Sequence, residues 1–138
     1  MKILFVCRGN VGRSVMAEAL LKQQGGDFEV TSAGTKLSGP EQPIGELKPA
    51  IDIVLDAMNE VGINVSGYVR KQITEEMVSN ADKVILVVDE RDPIPDYLIN
   101  NQKVITWDVL DPKGQTLEFT RGIRDQINNL VQDFVKNK

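Results

Sequence analysis

The chain has 138 residues, 41% hydrophobic and 26% charged, the composition of an ordinary globular protein that is long enough for one core. Its net charge of −4 excludes a general attraction to nucleic acid or to an acidic membrane. The absence of histidine excludes histidine-dependent triad hydrolases and most zinc sites. We therefore expect a single domain over residues 1–138, with no metal, no cofactor and no nucleic-acid or membrane partner.

The first predicted elements are a strand, a helix and a second strand. Residues 3–6 are continuously apolar, which is typical of a strand buried on both faces. A helix is predicted from about Ser14 to the glycine pair 25–26. The residues expected on its buried side are Met16, Ala19, Leu20 and Gln23. Residues 28–32 alternate and predict the second strand. The proline- and glycine-containing residues 36–48 predict a long surface loop, which is either a tolerated insertion or part of a substrate mouth.

The second half of the chain continues the alternation of helices and strands. A helix is predicted from Pro49 to Gly62, a short helix over 74–79, strands over 83–88 and 104–107, and a long helix over 115–135. The apolar stripe of the first of these helices consists of Ile51, Val54, Leu55, Met58 and Val61. Four strands separated by helices predict a small α/β domain with a parallel sheet.

The single cysteine, Cys7, stands where the first strand ends and a glycine-rich turn begins, and Arg13 follows after five residues. A loop of that length can point its N–H groups around a tetrahedral oxyanion. Gly9 and Gly12 allow the positive φ angles of such a loop, and Asn10 tolerates them. The residues expected to bind phosphate are Arg8, Gly9, Asn10, Val11, Gly12, Arg13 and Ser14.

The chemistry of the turn favours a nucleophilic thiolate. Arg13 offers a planar fork of donors to two oxygens, while the inward dipoles and the start of the helix would keep Cys7 ionised. Ser14 could donate to the sulfur. The alternatives are a buried core cysteine, a simple strand-to-helix turn or a cradle for a nucleotide phosphate. One cysteine cannot form an internal disulfide, so we expect a reducing, cytoplasmic location without signal peptide or membrane span.

Transfer of a phosphoryl group to a thiolate also needs an acid for the departing oxygen. Ligands of parallel α/β sheets bind beyond the carboxyl ends of the strands, where an Asp-Pro pair follows the fourth strand. We therefore prefer Asp111 as the general acid over Asp108 and Asp89. Asp89 and Glu90 can equally be strand-end carboxylates that face water.

The motifs together resemble the low-molecular-weight protein tyrosine phosphatases and the thioredoxin-type arsenate reductases, which share one fold. The matching residues are Val6-Cys7-x-Gly9-Asn10-x-x-Arg13-Ser14, Met16-Ala17-Glu18, Ser32-Ala33-Gly34-Thr35, Gly62-Ile63, Ala81-Asp82-x-Val84-Ile85 and Asp111-Pro112. The resemblance implies a three-layer, phosphotyrosine phosphatase I-like fold with strand order 2-1-3-4 and helices on both faces of the sheet. It makes Cys7 the nucleophile, Arg13 the phosphate clamp and Asp111 the general acid. Asn10 would hold the loop, and Ser14 would stabilise the thiolate.

The expected function is hydrolysis of phosphomonoesters, on phosphotyrosine or another phosphorylated residue of a protein, with inorganic phosphate or a similar oxyanion as product or inhibitor. No aromatic residue occurs in the 36–48 loop or directly after Pro112, so phosphoarginine or a small phosphoester stays open. Gly12 stands where many related phosphatases have a second cysteine. The alternatives are an arsenate reductase that uses an external thiol, because the internal relay needs two further cysteines, or a non-catalytic phosphate-binding module.

Overall fold

The computed structural model describes residues 1–137, and Lys138, the last residue of the predicted domain, lies outside them. Four parallel strands form one sheet in the order β2-β1-β3-β4. The strands are Lys2–Cys7 (β1), Glu29–Gly34 (β2), Lys83–Val88 (β3) and Val104–Asp108 (β4). The helices are Arg13–Gln24 (α1), Asp52–Asn59 (α2), Glu75–Asn80 (α3) and Leu117–Lys136 (α4), with single 3-10 turns at Ile44–Glu46 and Asp96–Leu98. The predicted α/β fold and its strand order are confirmed.

The sheet separates two apolar clusters because successive side chains of a strand point to opposite faces. In β1, Ile3 and Phe5 pack into the larger cluster with residues of α1, α2 and α4. Leu4 and Val6 pack into the smaller cluster, which includes Val78 of α3. β1 is therefore buried on both faces, as its continuous apolar sequence predicts. No helix within residues 1–137 combines the length and apolar character needed to cross a membrane.

Two expectations about the helices are wrong. Gln23 is exposed, whereas α1 is buried around its whole circumference from Arg13 to Leu21 because it lies between the sheet and α4. Val61 is 37% exposed because α2 ends at Asn59 and the chain turns away through Gly62, whose φ is +79°. The stripe of α2 ends one turn earlier than its apolar pattern suggests.

The segment after β2, predicted as a surface loop over 36–48, is only partly one. Ile44 is fully buried within its 3-10 turn, so the prediction is wrong there. Ile44 N–H donates to Tyr68 O at 2.8 Å and Gly45 N–H to Ser66 O at 2.9 Å. A Cβ on Gly45 would lie 2.9 Å from Ser66 O, so glycine permits this close pairing. The segment is thereby fixed against the chain that precedes α3.

α2 and α4 are joined by ion pairs at Glu60, directly after α2. Arg121 donates to Glu60 at 2.6 and 2.8 Å, and Arg124 Nη1 donates to Glu60 Oε1 at 2.8 Å and to Ala57 O at 2.7 Å. The hydrogen bonds from Arg121 and Arg124 lower the pKa of Glu60 from 4.5 to about 2. This contact holds the carboxyl end of α2 against α4, while the opposite end of α2 faces the site described next.

Candidate active site

A pocket of about 300 Å³ opens beyond the carboxyl end of β1, at the edge of the sheet where ligands of this fold class bind. Cys7, the last residue of β1, lies in its wall and is 2% exposed. The wall also contains residues of the loop after β1, the segment after β2, the start of α2 and the turn after β4. The chain therefore brings segments that are distant in sequence around one thiol.

Residues 8–12, here called the Cys7 loop, are bent by Asn10, whose φ is +54°. The expectation of positive φ angles at Gly9 and Gly12 is wrong: neither has one, and φ of Gly12 is −122°. Space does not require glycine at position 12 either, because a Cβ there would meet Pro112 Cγ at an ordinary 3.8 Å. The curvature of the loop depends on Asn10, a residue that tolerates the left-handed region.

The N–H groups of the Cys7 loop suit an anion. The backbone N–H groups of residues 9–12 donate no hydrogen bond within residues 1–137. Gly9, Val11 and Gly12 line the pocket. α1 begins directly afterwards at Arg13, so the positive end of its dipole lies at the same place. Consecutive unpaired N–H groups at a helix start form an oxyanion-binding cradle.

Asn10 fixes the loop to three neighbouring elements. Its Nδ2 donates to Ser14 Oγ at 2.8 Å and to Ser32 Oγ at 2.9 Å, and its Oδ1 accepts from Lys71 N–H at 2.9 Å. Gly34, at the end of β2, allows the loop to come close. A Cβ on Gly34 would lie 2.7 Å from the carbonyl oxygen of residue 8 and 3.1 Å from Asn10 N.

Ser14 connects this support to the thiol. Cys7 Sγ lies 3.0 Å from Ser14 Oγ. Because Ser14 Oγ accepts a hydrogen bond from Asn10, its own proton is available for the sulfur. A hydroxyl that donates to sulfur stabilises the thiolate relative to the thiol.

A buried carboxylate, Glu18, orients the same network. Ser32 Oγ donates to Glu18 Oε1 at 2.6 Å, and Lys22 Nζ donates to Glu18 Oε2 at 2.7 Å. A carboxylate can only accept, so Ser32 must give its proton to Glu18 and keep its lone pairs for Asn10. The amide nitrogen of Asn10 therefore faces both serines. A glutamate in α1 thus sets the direction of the hydrogen bonds that end at Cys7.

Arg13 is held by the backbone and by carboxylates at the ends of two strands. Its Nη1 donates to Asp92 Oδ2 at 2.8 Å and to Val109 O at 3.0 Å, and its Nη2 donates to Asp92 Oδ1 at 3.3 Å. Its Nε makes no hydrogen bond within residues 1–137. The Nη1–Nη2 edge therefore faces Asp92, and the Nε–Nη2 edge is the one available to an anion. Burial alone would lower the pKa of Arg13, but the hydrogen bond to Asp92 and the nearby negative charges raise it above its ordinary value.

Asp92 is a site residue that the sequence reasoning missed. Besides binding Arg13, its Oδ2 accepts from Asp89 N–H at 2.8 Å, so it also orders the turn after β3. A signal was present: an Asp-Pro pair, 92–93, follows β3 as another follows β4. Asp89, expected as a possible solvent-facing carboxylate, is 7% exposed. The hydrogen bond from Arg91 holds the pKa of Asp89 well below its usual range, although burial acts in the opposite direction.

Asp111 reaches the pocket and Asp108 does not. Asp111 Oδ2 lies 3.7 Å from Arg13 Nη2, and its Oδ1 accepts from Lys113 N–H at 3.0 Å. Its backbone N–H donates to Asp89 Oδ2 at 3.3 Å, which ties the turns after β3 and β4 together. Its side chain is 35% exposed, so it is accessible to a ligand.

The predicted phosphate-binding residues divide into two groups. Asn10 and Ser14 are fully buried and support the loop from behind. The others line the pocket: Arg8, Gly9, Val11, Gly12 and Arg13. From the predicted mouth over 36–48, Lys36, Ser38 and Leu47 contribute to the wall. Residues 1–137 contain no cluster of side chains suited to a metal ion.

Comparison with known proteins shows which family the chain resembles. The family model of the low molecular weight phosphotyrosine protein phosphatases matches residues 2–137. The arsenate reductase of Staphylococcus aureus (strain Newman) is 31% identical over 133 residues, which cover 96% of this chain and 94% of that protein. The chain is thus similar both to a family named for phosphatases and to a protein named an arsenate reductase.

Solved structures of similar proteins have the same overall fold. The low molecular weight protein tyrosine phosphatase from T. tengcongensis has a TM-score of 0.79 at 28% identity, covering 100% of this chain and 99% of that one. The YwlE arginine phosphatase, in a variant with a phosphorylated active-site serine, has a TM-score of 0.77 at 30% identity, covering 99% of this chain and 94% of that one.

Proposed function

The chain belongs to the low molecular weight phosphotyrosine protein phosphatase family of enzymes, and we propose that it hydrolyses phosphomonoesters through a cysteinyl-phosphate intermediate. The observation that carries this proposal is the convergence of Cys7, Arg13 and Asp111 on one pocket beside unpaired loop N–H groups. A binding module would need the cradle but neither a thiol nor an acid. A nucleophile that depends on a free thiol suits a reducing compartment, so the proposed location is the cytoplasm.

In the first step, the Cys7 thiolate attacks phosphorus in line with the departing oxygen. The S–P bond forms as the P–O bond breaks, and Asp111 gives its proton to the leaving oxygen. The N–H groups of residues 9–12 and the Nε–Nη2 edge of Arg13 bind the equatorial oxygens, where charge is concentrated. Ser14 stabilises the thiolate before attack through the 3.0 Å contact with Cys7 Sγ.

In the second step, a water molecule attacks phosphorus from the side that the leaving group has vacated. Asp111, now ionised, takes the proton of that water as the P–S bond breaks and inorganic phosphate forms. Asp92 and Val109 O keep the guanidinium of Arg13 in one orientation through both steps. The phosphorylated active-site serine of the YwlE variant supports a phosphorylated enzyme as an intermediate of this kind.

The test is hydrolysis of p-nitrophenyl phosphate by wild type and three variants under reducing conditions. Cys7→Ser should abolish turnover, and Asp111→Asn should reduce kcat by about a hundredfold or more. Asp108→Asn is the matched control, since it removes the same charge from a neighbouring exposed side chain outside the pocket. Turnover by Cys7→Ser would contradict the proposed nucleophile. Equal losses in the two aspartate variants would contradict the proposed acid.

Arsenate reduction is a second candidate, favoured by the 31% identity to the staphylococcal arsenate reductase. Arsenate would bind in the same loop, but the chain has one cysteine and cannot pass electrons through further thiols of its own. Reduction would require an external thiol that attacks Cys7 Sγ in the arsenic–sulfur adduct, so that the S–As bond breaks, arsenite leaves and a mixed disulfide forms on Cys7. Arsenite formation that depends on an added small thiol, with no hydrolysis of phosphate esters, would support this candidate over the phosphatase.

A further inference from the structure

The pocket contains a buried cation that the proposed reaction does not use. Arg70, in the connection between α2 and α3, lines the pocket and is only 5% exposed. Its Nε donates to Pro40 O at 2.8 Å and its Nη1 to Ser38 Oγ at 3.4 Å. Both partners are neutral. Within residues 1–137, no carboxylate forms an ion pair with Arg70, and its Nη2 has no hydrogen-bond partner.

A buried arginine without a carboxylate partner is unusual among the arginines of this chain. Those at 13, 91, 121 and 124 each have a carboxylate partner in the described residues, and Arg8 is exposed to solvent. A buried guanidinium without a counter-ion loses hydration and gains no compensating charge. Gly39 lies against the end of this side chain, since a Cβ there would be 2.6 Å from Arg70 Nη2. Arg70 is therefore a buried cation whose charge no carboxylate within residues 1–137 balances.

The charges around the pocket are also unbalanced. Its wall contains five cationic side chains, Arg8, Arg13, Lys36, Arg70 and Lys113, and one carboxylate, Asp111, although the whole chain has a net charge of −4. Asp111 already faces Arg13 at 3.7 Å. One phosphate held by Arg13 and the loop would leave Arg70 and Lys36 without an anion.

The body of the ligand is constrained as well. No aromatic side chain is among the residues that line the pocket, and its apolar wall is aliphatic. Its members are Val11, Leu47, Ala50, Ile51, Ile53, Val54 and Pro112. A volume of about 300 Å³ lies at the small end of ligand pockets. These features favour a short aliphatic body over an aromatic ring.

Resting on the proposed function, the geometry points to a second anion subsite at Arg70, assisted by Lys36. We assign the substrate as a small aliphatic phosphomonoester with a second anionic group, a carboxylate or a further phosphate. The Cys7 loop binds the reacting phosphate, and the guanidinium of Arg70, which lines the same pocket, binds the second group. The Cys7 loop follows β1, and the segment that carries Lys36 and Ser38 follows β2, the strand beside it, so the second subsite lies on the β2 side of the reacting phosphate.

The test compares phosphate esters of straight-chain ω-hydroxy acids of increasing length with those of the corresponding hydroxy amides, which have the same shape without the charge. For wild type, kcat/KM for the best acid should exceed that for its amide by about tenfold or more. Arg70→Gln should bring that ratio close to one, and Lys36→Gln, whose exposed side chain bears no risk to folding, should lower it. Lys2→Gln, at the opposite end of β1, is the charge-matched control and should leave the ratio as in wild type.

The outcomes separate this inference from the proposed function. Equal kcat/KM for acids and amides in wild type, or a preference that survives in Arg70→Gln, would overturn the subsite while the phosphatase stands. If no ester is hydrolysed, titration calorimetry of wild type can still compare the affinities of the acid and amide esters, because binding needs no turnover. Equal affinities would overturn the subsite. A phosphopeptide with a neighbouring acidic residue is the remaining comparison. If it is hydrolysed faster than every phosphate ester of the hydroxy acids, the second anion belongs to a protein and the proposal of a small-molecule substrate is overturned.

Discussion

Replacement of Asn10 by alanine is the most informative single perturbation of the Cys7 loop. The side chain makes three hydrogen bonds: buried ones to Ser14 and Ser32, and a partly buried one from the N–H of Lys71. Alanine loses all three and must also adopt the φ of +54° that asparagine tolerates. The loop would lose its connection to α1, β2 and the segment before α3.

The expected cost follows from these contacts. The loss of three hydrogen bonds at about 1 kcal/mol each, together with about 1 kcal/mol for a left-handed alanine, lowers the free energy of unfolding by about 4 kcal/mol. For a domain of this size that corresponds to a fall in Tm of about 15 °C. Ser14 would also lose the donor that directs its proton to Cys7, so kcat should fall at temperatures at which the variant is still folded.

Asn100 is a matched control because its φ is +57° and its exposed side chain makes no hydrogen bond within residues 1–137. Asn100→Ala should carry only the conformational cost of about 1 kcal/mol and retain wild-type activity. Thermal unfolding by circular dichroism and hydrolysis of p-nitrophenyl phosphate measure the two effects. Equal Tm values for the two alanine variants would refute the energetic role assigned to the Asn10 hydrogen bonds.

Three further outcomes test other contacts. Gly34→Ala should distort the Cys7 loop and lower kcat, since its Cβ would lie 2.7 Å from the carbonyl oxygen of Arg8; wild-type kinetics would contradict the tight packing. Arg13→Lys should lower kcat/KM by about a hundredfold or more, because lysine lacks the planar guanidinium that Asp92 holds in place. If Arg13→Lys lost less activity than Asp92→Asn, the proposed binding of phosphate by Arg13 would be contradicted. The pKa of Glu60 is lowered from 4.5 to about 2, so its ion pairs stabilise the fold fully above about pH 4.5 and lose their effect as the pH falls through about 2. The difference in Tm between wild type and Glu60→Gln should therefore shrink over that range, and a difference independent of pH would contradict this assignment.

Much of the fold could be predicted because its signals are local. The continuous apolar runs of β1 and β3 reflect burial on both faces, and the apolar stripe of α4 reflects packing along one side. The strand order came from the family resemblance of the motifs. Val61 was misplaced because periodicity continues through a helix end that the turn at Gly62 imposes.

The parts of the site that could not be predicted depend on contacts between distant residues. Asp92 meets Arg13 across 79 positions, and Arg70 meets Pro40 across 30. Nothing in the local sequence marks Arg70 as buried, because its burial follows from the pairing of the segment after β2 with the chain before α3. Composition likewise did not reveal that Asn10, rather than either neighbouring glycine, takes the positive φ.

The measurement that tests the central claim most directly is intact-protein mass spectrometry after rapid acid quench during turnover. The account predicts that wild type and, more strongly, Asp111→Asn gain the mass of one phosphoryl group, located on the peptide that contains Cys7. Cys7→Ala should show no such adduct. Turnover without any phosphorylated enzyme, or a phosphoryl group on another residue, would contradict covalent catalysis by Cys7.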